Sequence, residues 1–179
     1  FLMLASHRTS MLALALALQL PPPLAAEVIQ SWPARASDEY PRNSEGDVIA
    51  LGDGTLLVGW TEFHHGQSDF TTAHIAARKS TDGGRTWGEK FVLQENVGRM
   101  NTMSLSFLRL RDSGDLLMFF LVKNSRSDLD LMVRRSTDDA ASWGEPVLIT
   151  PEPGYHIMNN ARAIQLLSGR VLCPVSTTP

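Results

Sequence analysis

Ser80-Thr-Asp82-Gly-Gly84-Arg-Thr-Trp87 and Ser136-Thr-Asp138-Asp-Ala140-Ala-Ser-Trp143 decide the fold of this chain. The shared pattern is Ser-x-Asp-x-Gly-x-x-Trp, and its two copies stand about 56 positions apart, which marks an internal repeat. Physically it is a turn. The Ser and Asp side chains can bond backbone groups of their own loop. Gly84 can take a positive φ, and the Trp ring can pack on a sheet edge. Ala140 stands where the second copy should have glycine, so an altered turn is expected there. Each copy holds an Asp, but turn chemistry is sufficient to explain it.

Working outward, a second pattern precedes each copy. Ile49-Ala-Leu-Gly-Asp-Gly54-Thr-Leu-Leu-Val matches Leu108-Arg-Leu-Arg-Asp-Ser-Gly114-Asp-Leu-Leu-Met and returns as Ile164-Gln-Leu-Leu-Ser-Gly169-Arg-Val-Leu. Three glycines between apolar runs predict three hairpin turns. Short last strands follow the boxes at Phe91-Val-Leu93 and Val147-Leu-Ile149. Each repeat thus supplies one four-stranded antiparallel sheet, and no segment after residue 26 has sustained helical periodicity. The expected fold is all-β, a β-propeller of such blades, because one sheet alone cannot bury both faces. About two and a half blades are present over residues 27–179, so more chain is expected after Pro179.

Residues 1–26 read differently. His7 and Arg8 precede the apolar run Met11–Leu18, Pro21–Pro23 break it, and Ala25-Ala26 offer a cleavage site. That is the layout of a secretory signal peptide, too short for the roughly 20 residues that span a bilayer. A secreted or periplasmic protein with no membrane span after cleavage is expected. Net charge is −3 with no basic block, which gives a nucleic-acid partner no electrostatic support. Cys173 is the single cysteine, so no intrachain disulfide can form. His64-His65, His74 and His156 lack ligand spacing, so neither a metal nor another cofactor is expected.

The segments entering the inner strands are Arg42-Asn-Ser-Glu-Gly-Asp47, Asn101-Thr-Met-Ser104 and Asn159-Asn160-Ala-Arg162. All three are polar just before apolar strands, as a funnel holding a polar ligand would require.

The boxes and the stretch Arg42–Trp87 resemble the sialidase superfamily, within it the bacterial subgroup with Asp-box (BNR) repeats. The resemblance covers nearly all of residues 38–179 and implies a six-bladed propeller. It also implies a glycoside hydrolase that releases terminal sialic acid or a related acidic sugar. Arg42 takes the place of the first of three arginines that grip the sugar carboxylate. Asp69, nine positions before Arg78 on the loop His64–Phe70, takes the place of the catalytic aspartate. Arg42, His64, Asn101, Asn160 and Arg162 are the expected substrate contacts. The chain departs from the family in two places: Arg42-Asn-Ser replaces Arg-Ile-Pro, and His64 stands where the second arginine belongs. The third arginine and the Tyr/Glu nucleophile pair belong to later blades. The rival reading is a non-catalytic Asp-box propeller that binds glycan or protein.

Overall fold

The computed structural model describes residues 28–178, so the signal-peptide reading of 1–26 lies outside the described residues. Two units repeat the same order. β1 (Arg42–Ala50), β2 (Leu56–Phe63), β3 (Ala73–Ser80) and β4 (Phe91–Gln94) form one four-stranded antiparallel meander. β5 (Asn101–Arg109), β6 (Leu116–Lys123), β7 (Leu129–Ser136) and β8 (Val147–Leu148) form the next. A hairpin follows, with β9 (Tyr155–Ile157) and β10 (Ile164–Gln165) in one arm and β11 (Val171–Leu172) and β12 (Ser176–Thr178) in the other. β9 also touches β7 through a single parallel pair, Leu129 with Tyr155. The described residues contain no helix.

The unbroken apolar run of β6 explains how the units stack. Side chains alternate across a strand, so a strand covered on both faces must be apolar throughout. Leu116, Met118, Phe120 and Val122 pack against Leu57, Ile75 and Leu105 in the core between the two meanders. Leu117, Phe119 and Leu121 point the other way, toward Met158, Val171 and Cys173 of the last hairpin.

The three hairpin turns share one geometry. Gly54, Gly114 and Gly169 sit at φ of 86°, 77° and 86°. Each glycine N–H donates to the carbonyl three or four residues back, at 2.9–3.0 Å (Leu51, Leu110 and Leu166). Both boxes also fold alike, which corrects the altered turn expected at Ala140. The Gly84 and Ala140 N–H groups each donate to the Ser Oγ at the head of their box at 2.9 Å. Thr86 and Ser142 N–H each donate to the box carboxylate at 2.9 Å. Ala140 reaches φ 65° and Asp139 φ 58°, a conformation costing about 1 kcal/mol or more for residues other than glycine. Asp139 has a compensating role: its carboxylate accepts from Gly52 N–H at 2.6 Å and Arg109 at 2.5 Å, clipping the second box to the first hairpin.

The inner strands carry one further repeated feature. β1 is bulged between Ser44 and Asp47, and β5 between Met103 and Ser106. Glu45, Ser104 and Ala161 hold φ of 55°, 60° and 54° at these points and at the break between β9 and β10. Just past the bulge, Asp47 Oδ2 accepts from Phe107 N–H at 2.8 Å, and Ser106 Oγ accepts from Arg162 and Ala163 N–H at 3.0 Å. Each inner strand is thereby tied to the next by one side-chain oxygen, and the polar strand starts are brought to one end of the molecule.

Candidate functional site

Arg42 opens β1, and its register partner is Phe63 at the end of β2. Paired residues project to the same face, so the guanidinium lies over the Phe63 ring, 4.3 Å from its centre. The connection from β2 to β3 passes above it and carries Asp69. Three guanidinium nitrogens of Arg42 are engaged. Nε donates to Ser44 Oγ at 3.0 Å, Nη1 to Gln67 O at 2.9 Å and to Asp69 Oδ1 at 2.5 Å, and Nη2 to Glu45 Oε1 at 3.1 Å. The Asp69 side chain is 54% exposed, so its carboxylate faces solvent while Arg42 holds one oxygen.

The Asp69 loop is fastened from the second meander. Asn101, fully buried at the start of β5, donates through Nδ2 to Asp69 O and Thr71 O, both at 2.8 Å. Lys123, buried at the end of β6 and paired with Asn101, donates to Asp69 O at 2.9 Å. Its ammonium lies 4.7 Å from the Phe70 ring centre, and the Arg126 guanidinium covers the same ring at 4.1 Å. Two cations therefore brace the residue next to Asp69. Burial pushes the Glu45 carboxyl above the usual carboxylate range, against the pull of Arg42, and the Asp69 charge adds to the rise. Glu45 Oε2 and Asn101 Oδ1 are buried without a hydrogen-bond partner.

The other sequence candidates lie apart from this cluster. His64 falls one position beyond Phe63 and points to the opposite face, where its Nε2 meets His74 Nδ1 at 2.7 Å and its ring packs edge-on against Tyr40. His74 continues to Glu62 at 3.1 Å, and Lys90 binds both Glu62 oxygens at 2.9–3.0 Å. Burial, then the neighbouring His74, lower the proton affinity of His64. Asn160 donates to Gly46 O at 3.0 Å, joining the last hairpin to the bulge beside Glu45. The Arg162 side chain lines a separate cleft of about 510 Å³ with Asn159 and Val175. The structure therefore gathers Arg42, Asp69 and Asn101, brings Asn160 to their edge, and leaves His64 and Arg162 elsewhere.

Sequence reading passed over Glu45 and Lys123. Glu45 lies within a segment noted only for polarity. Lys123 had one signal, a lone cation closing an apolar strand at the position where the first repeat has Phe63.

No family model and no curated protein matches this chain. Solved structures do. A Hadza microbial sialidase superposes with a TM-score of 0.64 at 16% identity over 78% of this chain and 33% of its own. The leech intramolecular trans-sialidase gives 0.65 at 12%, over 86% and 43%. A protein of unknown function from Dyadobacter fermentans gives 0.61 at 18%, over 78% and 47%. The chain thus spans about a third to a half of the length of these three structures. At such identities the likeness shows a sialidase-like fold, all-β with antiparallel sheets. No helix among the described residues is long and apolar enough to cross a membrane.

Proposed function

We propose that this chain is part of an exported glycoside hydrolase of the sialidase type, releasing terminal sialic acid or a related acidic sugar. In this reading the two meanders are the first two blades of a six-bladed propeller, and the last hairpin begins the third. The observation that carries the proposal is the convergence of Arg42 and Asp69, 27 residues apart in sequence and in direct contact at one end of the sheets. An arginine fork suits a sugar carboxylate, and an acid on an overhanging loop suits a leaving oxygen that needs a proton. As the substrate carboxylate takes Arg42, Asp69 is released toward the glycosidic oxygen. A tyrosine nucleophile would come from a later blade.

The rival reading, a glycan- or protein-binding propeller, draws support from His64, which faces away from Arg42 and supplies no second cation there. Kinetics of the complete protein separate the two. Asp69→Ala should lower turnover of a sialoside with a poor leaving group roughly 10²–10⁴-fold, with a far smaller loss on an activated phenyl sialoside. Arg42→Ala should weaken both substrates alike. Absence of turnover in the complete wild-type protein on any acidic glycan would favour the binding propeller.

A further inference from the structure

The bulge in β1 does not need an acid. The two later repeats place Ser104 and Ala161 at the matching point, with φ of 60° and 54°, so a small side chain serves the backbone there. Glu45 nevertheless projects a carboxylate from a left-handed backbone into a largely buried place, where Oε1 accepts from Arg42 and Oε2 is buried without a hydrogen-bond partner. Such a residue costs stability without serving the fold, which is the mark of a functional constraint.

Arg42 is held between two carboxylates, Glu45 Oε1 at 3.1 Å on Nη2 and Asp69 Oδ1 at 2.5 Å on Nη1. Lys123 is the other cation within range of Glu45, and the Thr61 hydroxyl lies beside it. An aspartate paired with an arginine that had no other partner would be locked in its charged form, because an adjacent opposite charge favours ionisation by roughly 1–3 pH units. A locked carboxylate cannot give a proton. We propose that Glu45 is a positioning residue that competes with Asp69 for the Arg42 guanidinium and so leaves Asp69 able to take up and give a proton. The inference rests on the reading of Asp69 as the acid of the site. Its physical basis is twofold: Glu45 neutralises Arg42 from the side away from Asp69, and its own charge repels that of Asp69.

The test is the pH–rate profile of the complete protein on sialyllactose and on 4-nitrophenyl sialoside, for wild type, Glu45→Gln, Glu45→Ser and Asp69→Asn. Glu45→Ser carries the residue that the second repeat uses at its own bulge, so it keeps a foldable backbone if Glu45→Gln does not. Both Glu45 variants should move the alkaline limb of kcat on sialyllactose to lower pH by roughly one unit, a loss of up to about tenfold above the limb. The activated substrate should show little change, and KM should not rise, since a negative charge beside Arg42 has been removed. An unmoved limb, or equal losses on both substrates at every pH, would overturn the inference and leave Glu45 a structural residue. If Asp69→Asn keeps sialyllactose turnover, the reading of Asp69 fails and takes this inference with it. If Asp69→Asn is inactive and the Glu45 limb stays put, only this inference fails.

Discussion

Replacing Asp47 by alanine removes the carboxylate that ties the first inner strand to the second. Oδ2 accepts from the N–H of buried Phe107 at 2.8 Å, and Oδ1 accepts from Val48 N–H at 2.7 Å. A hydrogen bond to a charged acceptor contributes about 1.5–3 kcal/mol, and a buried N–H left without a partner incurs a similar penalty. The two figures describe the same loss, so Asp47→Ala should cost about 2–3 kcal/mol. For a domain of this size that lowers Tm by roughly 4–12 °C. Asp47→Asn keeps an acceptor for Phe107 and should cost under about 1 kcal/mol. Burial raises the Asp47 carboxyl despite the two N–H donors. A raised acid contributes stability that is present below its unfolded value, about 3.9, and is lost as pH rises through the folded value. The Tm gap between wild type and Asp47→Asn should therefore shift in favour of Asn between about pH 4 and pH 7. Calorimetry of the three proteins across that range is the assay. An alanine variant as stable as wild type would refute the idea that this bond docks the inner strands, and an Asn variant as weak as Ala would show that charge is what matters.

Gly46→Ala should destabilise by about 2–3 kcal/mol in chemical denaturation, because its new Cβ would stand 2.5 Å from the Gly59 carbonyl oxygen, a backbone atom that cannot swing aside. Gly54→Ala meets open space and should cost only about 1 kcal/mol, from its φ of 86° alone. In the second box, the Ser142 hydroxyl and N–H, followed by Ser136, hold Asp138 down at about 2. A depressed acid stabilises the fold above its unfolded value and loses that effect as pH falls, so Asp138→Asn should lessen the decline in Tm between about pH 4 and pH 2. Lys123→Met should leave Asp69 O with Asn101 as its one remaining donor, and hydrogen exchange across residues 64–72 should quicken while β6 stays protected.

The repeat was legible because its signals are local. Glycine between apolar runs and Ser-x-Asp with a following Trp each determine a turn within a few residues, and the turns form where they were read, the second box keeping its geometry despite Ala140. What escaped were features that depend on register. Nothing in Ser104 or Ala161 announces a left-handed backbone, yet each sits at a bulge, and a bulge reverses which face every later side chain meets. His64 depends on register without any bulge. Counted along the loop it approaches Asp69, but it lies one step past Phe63, the partner of Arg42, and so faces His74. Arg42 and Asp69 could be paired in sequence only through family resemblance, since their meeting depends on a loop fastened by Asn101 and Lys123 from another sheet.

The most direct test of the account is a crystal structure of the complete protein soaked with free sialic acid. The sugar is expected at the Arg42 end of the inner strands, its carboxylate within hydrogen-bonding distance of the Arg42 guanidinium and Asp69 drawn off Nη1 toward the anomeric hydroxyl, which stands where a glycoside has its bridging oxygen. A sugar bound elsewhere with the Arg42–Asp69 pair intact, or none bound at millimolar concentration, would contradict it.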